Sequence, residues 1–173
     1  MLVAVLEDQR LMRDYLEHLL ERELGATRVV GIGSMAELRR REGELRGARL
    51  ILFDLDRGDG FTVEWALGWA VREPGCRLAA LSSVLGAFPF KQLQVAGISL
   101  LHKNDTQPEV VAALRLVLGG GIVVSRQVQE LLAACGRDPQ APTKLLGPKE
   151  QKVLALLGQR LRNEEIAEVL GCA

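Results

Sequence analysis

Glu7 and Asp8 close the first apolar run of the chain, Leu2 to Leu6; Asp54 closes another, Leu50 to Phe53. Ser82-Ser83 follow the run Arg77 to Leu81, and His102-Lys103 follow Ile98 to Leu101. These types are complementary. Three carboxylates brought to one place repel strongly, and a divalent cation relieves that; all-oxygen ligation favours Mg2+, with Mn2+ as the close substitute. Lys103 adds a point positive charge and Ser82 a hydroxyl. Such a set can hold the oxygens of a phosphoryl group while an Asp54 oxygen attacks phosphorus in line. Taken singly, Glu7, Asp8 and Ser82 read as turn or cap residues, with Asp8 suited to cap a helix starting near Gln9. Asp54 resists that reading, because Ile51-Leu52-Phe53 buries its strand and a buried carboxylate needs a partner. The joint pattern favours chemistry.

The elements that must position these groups are legible from periodicity. Five short, nearly unbroken apolar runs, Leu2 to Leu6, Arg28 to Ile32, Leu50 to Phe53, Arg77 to Leu81 and Ile98 to Leu101, read as strands covered on both faces. Between them, residues such as Leu11, Met12, Tyr15, Leu16, Leu19 and Leu20, or Val110, Val111, Leu114, Val117 and Leu118, repeat at helical spacing. Strand and helix alternate, which predicts an α/β fold with an open parallel sheet, whose functional groups collect at the carboxyl ends of the strands. Ser34 with Glu37 forms a capping box, and Pro108 suits the start of a helix after Thr106.

With 173 residues the chain holds one well-buried domain of about 120 to 140 residues and a smaller remainder. Lys and Arg number 22 and Asp and Glu 22, so no net field draws it to nucleic acid or an anionic membrane. Cys76, Cys135 and Cys172 lack the spacing of a disulfide framework or zinc site. With no signal segment and no membrane-length apolar run, a cytoplasmic protein is expected. After Gly119-Gly120-Gly121 a helix is expected around Val128 to Ala134, then a linker from Gly136 to Pro142, then two short helices, Pro148 to Leu157 and Asn163 to Leu170. Bland roles suit the other candidates: His102 as a partly exposed packing residue, His18 as a surface residue, and Arg39-Arg40-Arg41 as a solvated helix face. Trp65 and Trp69, at i and i+4, anchor a helix on the sheet.

Residues 1 to about 120 resemble the receiver domain of two-component response regulators. The likeness rests on the acidic pair in Val5-Leu6-Glu7-Asp8, the acceptor in Leu52-Phe53-Asp54-Leu55, the hydroxyl in Ala80-Leu81-Ser82-Ser83 and the lysine in Leu100-Leu101-His102-Lys103. It implies a flavodoxin-like, doubly wound five-stranded parallel sheet. It also implies Glu7 and Asp8 as metal ligands, Asp54 as phosphoacceptor and third ligand, and the backbone carbonyl of Asp56 as a further ligand. Ser82 becomes the switch hydroxyl and Lys103 the cation on the phosphoryl group. Gly58 stands where the family usually has proline, and Leu100 where it usually has an aromatic residue or histidine, so the family's inward-turning aromatic switch lacks its side chain.

Residues 144–173 resemble the opening of a NarL/LuxR-type helix-turn-helix domain, in Leu146-Gly147-Pro148-Lys149-Glu150-Gln151-Lys152-Val153-Leu154 and Asn163-Glu164-Glu165-Ile166-Ala167-Glu168-Val169-Leu170-Gly171. The likeness covers its first two helices; the groove-reading helix is expected after Ala173, so no DNA-contacting residue is assigned. The implied organisation is a receiver over 1–120, a connecting helix and linker over 121–143, and the helix-turn-helix part over 144–173. The implied role is signal transduction and transcription regulation: a sensor histidine kinase as phosphoryl source, DNA as target of a full-length form, and a homodimer on activation. No enzymatic activity is implied beyond self-dephosphorylation, and no membrane partner.

A second reading is enzymatic. Leu50-Ile51-Leu52-Phe53-Asp54-Leu55-Asp56 also resembles the first motif of haloacid-dehalogenase-type phosphatases, with Asp54 as nucleophile and Asp56 as general acid. Those enzymes usually carry that motif on the first strand and place further acids after the lysine, whereas here the motif lies on the third strand and Glu7-Asp8 precede it. A third reading, a pseudo-receiver serving as a dimerisation module, rests on Leu100 and Gly58.

Overall fold

The computed structural model describes residues 1–56, 63–83 and 92–135. Gly58, the expected linker and the expected helix-turn-helix over 144–173 lie outside the described residues. The chain divides into two compact units, Met1–Ala133 and Ala134–Ala173, and the first is the one described below.

In chain order the elements are β1 (Leu2–Leu6), α1 (Arg10–Leu24), β2 (Arg28–Ile32), α2 (Met35–Arg41), a 3-10 turn (Glu42–Leu45), β3 (Leu50–Asp54), α3 (Val63–Arg72), β4 (Arg77–Ser82), β5 (Ser99–His102), α4 (Gln107–Leu118) and α5 (Arg126–Cys135). All five strands are parallel, in the order β2-β1-β3-β4-β5. This is the flavodoxin-like arrangement expected. Alternate residues of the central strands feed opposite layers. Val3, Val5, Leu50 and Leu52 meet Leu16, Leu19 and Leu20 of α1 and Val110, Leu114 and Val117 of α4. Ala4, Leu6, Ile51 and Phe53 meet Leu38 of α2, Ala66 and Trp69 of α3, and Val128 of α5. Burial on both faces is why these strands read as continuous apolar runs.

Local signals set several boundaries. Ser34 Oγ accepts the Glu37 backbone N–H at 3.1 Å, and Glu37 returns its Oε2 to the Gly33 N–H at 2.9 Å. The reciprocal bond therefore lands one residue earlier than a strict capping box places it. Ser34→Ala is expected to lower stability by about 1 kcal/mol, or roughly 3 to 5 °C in a thermal melt, while Ser34→Asp stays near wild type. At the start of α4, Glu109 accepts both the Thr106 N–H (2.7 Å) and hydroxyl (2.6 Å). α1 ends at Gly25 with φ 65°, a left-handed turn that glycine adopts without a Cβ penalty.

Two boundaries differ from expectation. The compact unit runs to Ala133 rather than stopping near 120. The chain after α4 turns back along the outer edge of β5: Leu100 N–H donates to Val123 O and Ser125 N–H to Leu100 O, each at 2.8 Å. α5 then buries Val128 completely in the core, with Leu132 packed against it. Burial of those side chains and pairing of an otherwise open strand edge hold the segment on the domain. β5 spans Ser99–His102, one residue later than the apolar run suggested, so His102 pairs with Ser82 inside the sheet and is buried, not partly exposed.

The tryptophans anchor α3 as expected. Trp65 stacks on Trp69 at 5.6 Å between centroids and sets its edge against Phe53. Among the described residues no helix is long and apolar enough to cross a membrane.

Candidate phosphoryl site at the sheet edge

The strand order reverses between β1 and β3: the chain leaves β1 toward β2, then crosses to build β3, β4 and β5 on the other side. A crevice opens at the carboxyl ends beside such a reversal. Register fills it with the polar residues. Leu6 is level with Phe53, so Glu7 and Asp54, each one residue on, face the crevice together. Asp54 is level with Leu81 and Ser82 with His102, which brings Ser82 and Lys103 to the same edge. Backbone bonds extend the ladder past the strand ends, from Glu7 N to Ile32 O (3.0 Å), Leu55 N to Leu81 O (2.9 Å) and Lys103 N to Ser82 O (3.0 Å).

Glu7 and Asp54 are each 1% exposed, an unusual depth for carboxylates, and Ser82 is as deeply buried. Lys103 compensates part of that charge: its Nζ lies 2.9 Å from Asp54 Oδ1, 3.1 Å from Asp56 Oδ2 and 3.7 Å from Glu7 Oε2. Its pKa is raised, because although burial pushes it down, the hydrogen bond and charge of Asp54 and the neighbouring Asp56 and Glu7 outweigh that. Burial pushes Glu7 the other way, up to about 7; Asp8 and the Asp54 charge add to the rise, against the Gln9 N–H at 3.0 Å and Lys103. Among the described residues, the one Lys103 ammonium thus serves three acids.

The residues fit a hard divalent cation. Glu7 Oε2 and Asp54 Oδ2 are buried and accept no hydrogen bond, which water or an ion must remedy. Ligand oxygens of Glu7, Asp8 and Asp54 all lie within 4.8 Å of one another. Asp8 does not cap α1: the cap position is Gln9, without a side-chain bond. Asp8 is left with the acidic group rather than the helix.

Four contributions were not foreseen. Asp56, assigned only a backbone carbonyl, directs its carboxylate inward, accepting Ser82 Oγ at 2.5 Å and both the amide and hydroxyl of Ser83. Ser83 itself was read only as part of the serine pair. Arg13 of α1 donates to Glu7 O at 2.7 Å and fixes the acidic turn. Asp105 is a supporting residue: its Oδ2 accepts the His102 N–H at 2.8 Å and shapes the loop that carries Lys103. Leu100 is wholly buried with its backbone bonded on the outer side to residues 123 and 125, so this position is a fixed core residue.

The acids that a phosphatase would need after the lysine are engaged elsewhere. Asp105 braces the loop, Glu109 caps α4 and Glu130 pairs with Arg126 at 2.8 Å; Asp138 lies outside the described residues. Arg41 of the basic run bridges Glu37 (2.6 Å) and Glu44 (2.8 Å), while Arg39 and Arg40 are exposed.

No family model and no curated protein matches the chain. Solved structures do. An isolated receiver domain of RcsB from Salmonella enterica serovar Typhimurium, determined with the phosphomimetic BeF3-, aligns over 76% of this chain and 98% of its own with TM-score 0.67 and 18% identity. A LuxR-family two-component response regulator from Aurantimonas sp. SI85-9A1 aligns over 79% and 98%, with TM-score 0.66 and 20% identity. A structure of two RcsB dimers bound to two parallel DNAs aligns over the whole of this chain and 84% of its own, with TM-score 0.69 and 20% identity. Sheet order, crevice and these likenesses together establish that the chain has the fold of response-regulator receiver domains.

Proposed function

We propose that this chain is a two-component response regulator of the NarL/LuxR type, in which Asp54 accepts a phosphoryl group. The observation that carries the reading is the Lys103 ammonium, 2.9 Å from an Asp54 carboxylate that is 1% exposed and still has one oxygen unbonded. An Asp54 carboxylate oxygen is the nucleophile. It bonds to phosphorus, the bond from phosphorus to the donor breaks, and the donor leaves with that electron pair. Lys103 and the Ser82 hydroxyl supply positive charge and a hydrogen bond to the transferred oxygens. Glu7, Asp8 and Asp54, with the Asp56 carbonyl, would hold Mg2+ or Mn2+, which when bound offsets the carboxylate charge and that of the phosphoryl oxygens.

The phosphoryl source is a sensor histidine kinase, and the output is DNA binding through a helix-turn-helix that begins in residues 144–173. The alignment of the whole chain with a DNA-bound dimeric neighbour supports that output and a homodimer on activation. Incubation of the chain with Mg2+ and acetyl phosphate, followed by intact mass measurement, tests the central claim. One hydroxylamine-sensitive phosphoryl adduct per chain is expected. Release of phosphate from many donors per chain with no adduct favours the phosphatase reading, and no reaction at all favours a pseudo-receiver.

A further inference from the structure

Asp56 is the most heavily hydrogen-bonded carboxylate at this edge. Its Oδ1 accepts Ser82 Oγ at 2.5 Å and the Ser83 N–H at 2.9 Å. Its Oδ2 accepts Ser83 Oγ at 2.6 Å and the same N–H at 2.7 Å, with Lys103 Nζ at 3.1 Å. Two hydroxyls, a backbone amide and an ammonium, from the ends of two different strands, thus converge on one small oxyanion. Turn-forming aspartates bond the backbone of their own turn; here the partners come from β4 and from the residue after β5.

The same donors are those that an oxyanion on Asp54 would need. Lys103 already touches both carboxylates, and Asp56 N–H donates to Asp54 Oδ1 at 2.9 Å, so the two groups are immediate neighbours. Donors preorganised around a developing charge are the usual source of phosphoryl-transfer stabilisation. A second anion in their midst competes for them and repels the newcomer. We propose that the Asp56 carboxylate is a resident surrogate for the phosphoryl group: it holds Ser82, Ser83 and Lys103 in the unphosphorylated chain and must leave them before Asp54 can be phosphorylated. This inference rests on Asp54 being the acceptor. It makes Asp56 a gate on the rate of phosphorylation, a role that its backbone carbonyl alone does not have. The chemistry gated is the attack of an Asp54 oxygen on the phosphorus of the donor; with acetyl phosphate, acetate leaves carrying the electrons of the broken P–O bond.

The test compares the full chain with its Asp56→Ala and Asp56→Asn variants, each with Mg2+ and acetyl phosphate, by intact mass over time. Asp56→Ala is expected to label at Asp54 about tenfold faster or more, the scale of freeing charge-assisted donors from a competitor. Asp56→Asn keeps the volume but loses the charge, and is expected to label faster than wild type by a smaller factor. It carries the test if the alanine variant fails to fold. The Ser83 amide resonance provides an independent readout: in Asp56→Ala it should move upfield and return downfield when beryllium trifluoride anion is added. Equal or slower labelling, or a Ser83 resonance that the substitution leaves in place, overturns the surrogate role. Wild type and variants that label alike at Asp54 leave the acceptor standing and remove only the surrogate; chains that never label remove both.

Discussion

Asp54→Asn is expected to abolish phosphoryl labelling, taking the adduct from one per chain to none. An amide oxygen lacks the charge that makes the carboxylate a nucleophile, and no other acid combines the required neighbours. Asp56 has both oxygens already engaged by Ser82, Ser83 and Lys103. The amide keeps the side-chain volume, and Lys103 retains Asp56 at 3.1 Å, so the fold should survive, which circular dichroism can check. An adduct that persists in the variant, or that maps to Asp56, removes Asp54 from the role assigned to it.

Withdrawal of divalent cation carries the second large effect. Glu7, Asp8 and Asp54 bring ligand oxygens within 4.8 Å of one another, and among the described residues Lys103 is the cation that pairs with Glu7 and Asp54. An anionic phosphodonor has to approach that group. Excess chelator is therefore expected to slow labelling by about a hundredfold or more, the scale on which loss of one preorganised charge stabiliser acts. Mn2+ should restore it, since it accepts the same oxygen ligands. Asp8→Ala should raise the Mg2+ concentration needed for half-maximal rate. Labelling that proceeds at full rate in chelator would show that Lys103 alone suffices and that the acidic group serves another purpose.

How far the sequence carried these conclusions can be judged residue by residue. The strands were visible because both faces of a central parallel strand are buried, so Leu50 to Phe53 admits no polar interruption until its end. The carboxylates, serine and lysine stood out for the same reason: each is the first or second polar residue after such a run. The cap at Ser34 was legible because a cap is a local bond between residues three apart. His102 was misread, since one residue of strand register separates an exposed end from a paired, buried one. The segment after Gly121 was read as a connector because nothing local reveals that β5 has an open edge for it to cover.

By itself, then, the sequence determined which residues form strands and which polar groups stand at their ends, because hydrophobic periodicity is a property of neighbours along the chain. Only the tertiary structure decided that β1 lies between β2 and β3, that Glu7 comes level with Asp54, and that Lys103 reaches both. Those facts depend on pairing between strands remote in sequence, which no local pattern encodes. The inward turn of Asp56 belongs to the same class: its direction is set by donors that β4 and the end of β5 bring to it, so it became visible only when those ends met.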